Sequence, residues 1–173
     1  ATAMGGRLLR RWITAPVTDV AIIEKRLDVV AFFSEQPGLH QQVLSCLKQI
    51  TDIERLAAKV ATGRINPREV NALRQALMQT TAITRLLSDA DPVAPLLATI
   101  DNNQPITDHI ATWLATEAPA QMGKGQTIAA GVSAELDELR ELAQGGRDTL
   151  DAMLARETER TGIPSLKIAF NSV

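Results

Sequence analysis

Three arginines stand together near the start of the chain, Arg7, Arg10 and Arg11 in the run MGGRLLRRW. At helical spacing they share one side, with Leu8, Leu9 and Trp12 on the other. Guanidinium groups clustered without an acid suit phosphate or an acidic partner. The same three residues also suit a solvated face, or ion pairs with neighbouring helices. His40 and His109 each stand alone, far from any cluster with metal-ligand spacing, and read as surface or capping residues. Cys46 has no His nearby and reads as a small core residue, not a nucleophile. Gly123-Lys124-Gly125 is only superficially like a phosphate loop, because GxxxxGK[ST] is missing and no strand precedes it. The acids lie beside bases at i,i+3, as in Asp137 with Arg140 and Glu157 with Arg160, a solubilising pattern on helix faces. No catalytic residue, no cofactor-binding residue and no metal ligand is read from this sequence.

The element with the most pronounced pattern runs from Val132 to Thr161. Leu136, Leu139, Ala143, Gly146, Leu150 and Met153 recur at heptad-like spacing, and Leu142 and Leu154 widen the stripe enough to face a bundle core. Ser133 is a good N-cap, with Glu135, Asp137 and Glu138 in the first turns. Gly162 and Pro164 end the helix. Gly145-Gly146 falls mid-helix and reads as a tight packing spot, with a kink or flexible joint as the alternative.

Ahead of it lies a series of shorter helices, about nine in the whole chain. One covers Met4 to Ile13 and is broken by Pro16. Thr18 or Asp19 caps the next, carrying Ile23, Leu27, Val30 and Ala31. Pro37-Gly38 reads as a turn, followed by a helix with Val43, Leu44 and Leu47. Thr51-Asp52-Ile53-Glu54 has the capping-box pattern, and Gly63 fits a C-cap. Asn66-Pro67-Arg68-Glu69 is a second helix start. Two short helices are expected over Ile83–Leu87 and Val93–Ile100, and Thr107 is expected to cap another. A loop spans Pro119 to Gly131.

Composition agrees with an all-α fold. Of 173 residues 45% are hydrophobic but only 3% aromatic, with no Tyr, so Ala and Leu fill the core positions. A net charge of -2 gives no bulk attraction to nucleic acid. One cysteine excludes an internal disulfide and fits a reducing compartment. No apolar run is long enough to span a membrane. The chain begins without Met and closes on the alternating run SLKIAFNSV. Both ends read as cut from a larger protein.

Several stretches, in order, resemble the MutS family of DNA mismatch repair proteins. They are Met4-Gly5-Gly6-Arg7-Leu8-Leu9-Arg10-Arg11-Trp12 with Pro16, Arg26-Leu27-Asp28, Asp52-Ile53-Glu54-Arg55-Leu56, and Gly63-Arg64 with Pro67-Arg68-Glu69. Further along come Glu135-Leu136-Asp137-Glu138-Leu139-Arg140 and Arg156-Glu157-Thr158-Glu159-Arg160-Thr161-Gly162-Ile163. The last is Ser165-Leu166-Lys167-Ile168 with Phe170-Asn171 and Val173. Each motif is modest and the set is specific, although residues 80–126 carry little of it. Val132 departs from the family, which usually has an aromatic there.

The resemblance implies a domain plan: 1–131 a helical core of the lever domain, 132–164 the long lever helix, and 165–173 the first strand of a truncated clamp. The implied fold is all-α and multihelical, with one long C-terminal helix and a short terminal β-strand. The implied role is structural, coupling a distant ATPase to DNA clamping and mismatch recognition. No cofactor is expected in this segment, with ATP and Mg in the intact parent. The parent would bind mismatched double-stranded DNA, form a homodimer, and meet a MutL-type repair partner in the cytoplasm, away from membranes. The segment itself is not expected to be an enzyme. A stand-alone helical scaffold or protein-interaction domain is the alternative that the helical pattern alone permits.

Overall fold

Most helix starts among the described residues are set by short polar side chains that accept backbone N–H groups left without an intrahelical partner. The computed structural model describes residues 1–168. Among them are eight α-helices: α1 (Ala3–Thr14), α2 (Val20–Glu35), α3 (Pro37–Gln49), α4 (Ile53–Ala61), α5 (Pro67–Leu86), α6 (Ala94–Leu97), α7 (Gln104–Trp113) and α8 (Ala134–Thr161). A single 3-10 turn, Asp91–Val93, precedes α6. The chain is all-α, as expected. It divides into two compact units, Ala1–Ala129 and Ala130–Val173.

The first unit is organised on α5, which packs against α3, α4 and α7. The Asn66 side chain accepts from the Glu69 amide, and the Glu69 carboxylate accepts from the Asn66 amide. Both halves of a capping box are therefore made, with Pro67 pre-set for the first turn. A core cluster gathers Val43, Leu87, Ala90 and Val93, with Phe32, Phe33, Ile83 and Leu97 packed around it. Ala76 of α5 is completely buried. Small and branched side chains, with few aromatics, suit this close helix packing.

Four details differ from the sequence reading. Pro37 opens α3 instead of making a turn, because its fixed φ suits a first helical position. Gln36 alone separates α2 from α3. The N-cap of α4 is Asp52, which accepts from the Arg55 amide, so the Thr51 capping box does not form. The helix expected at Ile83–Leu87 is the last part of α5. The Thr80, Thr81 and Thr84 hydroxyls donate to carbonyls of the preceding turn, so the threonine run continues the helix. Thr107 lies inside α7 and is buried, donating to the Gln104 carbonyl, and α7 begins earlier, at Gln104.

Gly63 behaves as expected after α4. At φ 65° it lets its own N–H reach the Val60 carbonyl and that of Arg64 reach Lys59, a Schellman closure.

In the second unit α8 is one uninterrupted helix of 28 residues, about 42 Å long at 1.5 Å per residue. Ser133 accepts from the Leu136 amide at its start, and Gly162, at φ 67°, ends it. Its apolar stripe, wide enough to face a bundle core, is left open: no residue of α8 is buried and Leu142 is 67% exposed. One expectation for this helix is not met: Gly145-Gly146 is not a tight packing spot, since a Cβ at either position would meet nothing within 4 Å. Ser165 to Ile168 show no strand. The remainder of the expected strand, 169–173, lies outside the described residues.

Candidate functional site

The three N-terminal arginines separate into different environments. Arg7 donates to both carboxylate oxygens of Asp52, at 2.7 and 2.8 Å, and also to Glu54. The pair is bidentate, and Asp52 simultaneously caps α4. The Arg7 hydrogen bonds hold the Asp52 carboxyl down, to about 2 from 3.8. Arg10 and Arg11 make no ion pair among the described residues. They line a shallow hollow of about 550 Å³ with Gly6 and Thr14. Of the readings open for these arginines, an ion pair with a neighbouring helix holds for Arg7.

On the other side of α1, Trp12 lies under Arg26 of α2, whose guanidinium carbon is 3.6 Å from the ring centroid. Trp12 and Arg26 form part of the wall of a groove of about 950 Å³. Its floor is apolar, with Ile22, Val29, Val30 and Phe32 from α2, and Pro92, Pro95 and Leu96 opposite. Nothing local in the sequence signals this groove. Trp12 and Arg26 lie on separate helices, and the opposite wall comes from a segment far along the chain.

The other residues singled out do not converge. His40 is exposed and its ring is 5.9 Å from that of Phe33, while His109 is exposed and 6.1 Å from Trp113. Cys46 is half-buried on α3. Lys124 sits in a turn that no helix follows directly, between Gly123 and Gly125 at positive φ. The loop around it is closed by an antiparallel bridge between Leu114 and Ile128. Asn71 of α5 anchors the start of that loop by donating to the Ala115 and Thr116 carbonyls. No group of His, Cys, Asp and Glu that could hold a metal occurs among the described residues. Nor is any helix there long and apolar enough to cross a membrane.

What remains is a chain of helices offering surfaces: the groove beside α1, and the α8 stripe on which Leu139, Leu142, Leu150 and Met153 are exposed. A family model described as MutS domain III matches residues 1–161. The chain belongs to the MutS domain III family. Among its curated relatives, a DNA mismatch repair protein MutS from Flavobacterium psychrophilum is 42% identical over 98% of this chain. One from Christiangramia forsetii is 43% identical over 98%, and one from Porphyromonas gingivalis 42% over 99%. In each case the match covers 20% of the relative, so the chain spans about a fifth of the length of the proteins it resembles. This MutS domain III presents helix faces and a groove.

Proposed function

We propose that the chain serves as the core and lever segment of a DNA mismatch repair protein, linking a distant ATPase to DNA clamping and mismatch recognition. The observation that carries this reading is α8, unbroken for 28 residues and capped at both ends. A stiff helix moves as a unit between discrete arrangements and so transmits displacement along its length. Its charge supports a transmitting role over a gripping one. From Glu135 to Arg160 there are eight acids and four arginines, a net of -4, which disfavours contact with a phosphate backbone along the helix. The parent would use ATP and Mg, act as a homodimer in the cytoplasm on mismatched duplex, and recruit a MutL-type partner. The segment alone would neither hydrolyse ATP nor select mismatches.

The test is made in the full-length protein that carries this segment. Asp148→Pro breaks α8 at its middle by removing an N–H and clashing with the preceding turn, and Asp148→Ala is the control. The expected result is that mismatch binding and DNA-free ATP hydrolysis persist while ATP no longer triggers release from DNA. Release at the control rate with α8 broken would overturn the lever role.

A further inference from the structure

We propose that α1 is a detachable arm of the first unit, held by charge instead of buried apolar area, and that ionic strength sets its docked fraction. No residue of α1 is buried, and it is absent from the closely packed helix pairs. Much of its apolar surface remains in the open, with Leu9 57% and Ile13 71% exposed, while Met4 is half-buried and Trp12 38% exposed. Burial is the usual force holding a helix to its domain, and here it is nearly missing.

Two polar contacts take its place. At one end Arg7 clamps Asp52 through two hydrogen bonds and reaches Glu54 as well. An isolated surface ion pair contributes little, but bidentate geometry with a shared second carboxylate is the arrangement that does contribute. Further along, Trp12 rests beneath Arg26 at 3.6 Å. The non-helical run 15–19, which includes Pro16, joins α1 to α2 and can act as the pivot. Salt shortens the Debye length from about 10 Å at 0.1 M to about 3 Å at 1 M, weakening the Arg7 clamp while leaving apolar contacts in place. Undocking would take Trp12 out of the groove wall and open the cleft between α2 and Pro92–Leu96. This inference stands apart from the lever role.

The experiment uses the full chain with Trp113→Phe, which leaves Trp12 as the only indole. Amide hydrogen exchange in α1 and acrylamide quenching of Trp12 are compared at about 50 mM and about 1 M NaCl. Raising the salt should speed α1 exchange and raise quenching several-fold, with α3 and α5 unchanged. Arg7→Gln should do the same at low salt. So should Asp52→Asn, which removes the charge yet keeps an N-cap acceptor for α4. Salt should then have little further effect in either variant. Equal α1 protection in all proteins at both salt concentrations would overturn the proposal. So would variants in which α5 exchange accelerates along with α1, since the clamp would then support the whole unit.

Discussion

Lys59 near the end of α4 donates to Glu69, the same carboxylate that closes the capping box at the start of α5. One side chain thus fixes both the entry of the longest helix in the first unit and the position of its neighbour. The Lys59 hydrogen bond, then that from the Asn66 amide, hold the Glu69 carboxyl below its ordinary value of 4.5. A depressed carboxylate stabilises the fold above the unfolded-state pKa, and that contribution is lost as pH falls through the folded-state value. Glu69→Gln should therefore be less stable than wild type near neutrality, with the gap closing in acid. Urea unfolding from about pH 6 to about pH 3 measures it, and a gap independent of pH would contradict the assignment.

Asp52 provides a second acid-sensitive contact. Its carboxyl is held at about 2, from 3.8, chiefly by the Arg7 hydrogen bonds. The same sign applies: the Arg7 contact is intact above 3.8 and fades as pH drops towards 2. NMR titration of the Asp52 carboxyl should give a midpoint well below that of an ordinary aspartate. In Arg7→Gln the midpoint should return upward, and an unchanged midpoint would mean that Arg7 is not the cause.

Alanine at Gly145 and Gly146 should stabilise α8. The space around both positions is open, and each glycine costs a helix interior about 1 kcal/mol relative to alanine. The double variant should gain up to about 2 kcal/mol, read by thermal unfolding and by ellipticity. A loss of stability would reveal a close contact at the pair.

Leu87 tests the core. It is 5% exposed and sits in the cluster with Val43, Ala90 and Val93. Leu87→Ala should cost about 2–5 kcal/mol, because the helices around the site can collapse only in part. Chemical denaturation gives the value, and a cost under about 1 kcal/mol would place Leu87 outside the core.

Local signals were the legible ones. Asn66-Pro67-Arg68-Glu69 specified both halves of its capping box, Ser133 and Gly162 bounded α8 to within a residue, and Gly63 supplied the left-handed closure after α4. Each depends on atoms within about six residues of one another. Pro37 misled because proline suits both a turn and a first helical position. A separate helix was expected over Ile83–Leu87, yet the Thr80 and Thr81 hydroxyls are satisfied within α5, which runs on to Leu86. The Arg7–Asp52 clamp and the Arg26–Trp12 stack had no comparable signature, because each joins separate helices. The α8 stripe was visible in the heptad spacing, but spacing does not say what covers a face.

The junction at Gln36 leaves α2 and α3 almost no slack, since this one residue ends the first helix and begins the second. A helix turns about 100° per residue, so the rotational phase of α3 follows directly from that of α2. One residue inserted within α3 before Leu39 would swing Leu39, Val43 and Leu47 around the axis together, away from the cluster they serve. Chain length between Val29 and Val43 is accordingly as much a determinant of this core as the identity of the side chains that fill it.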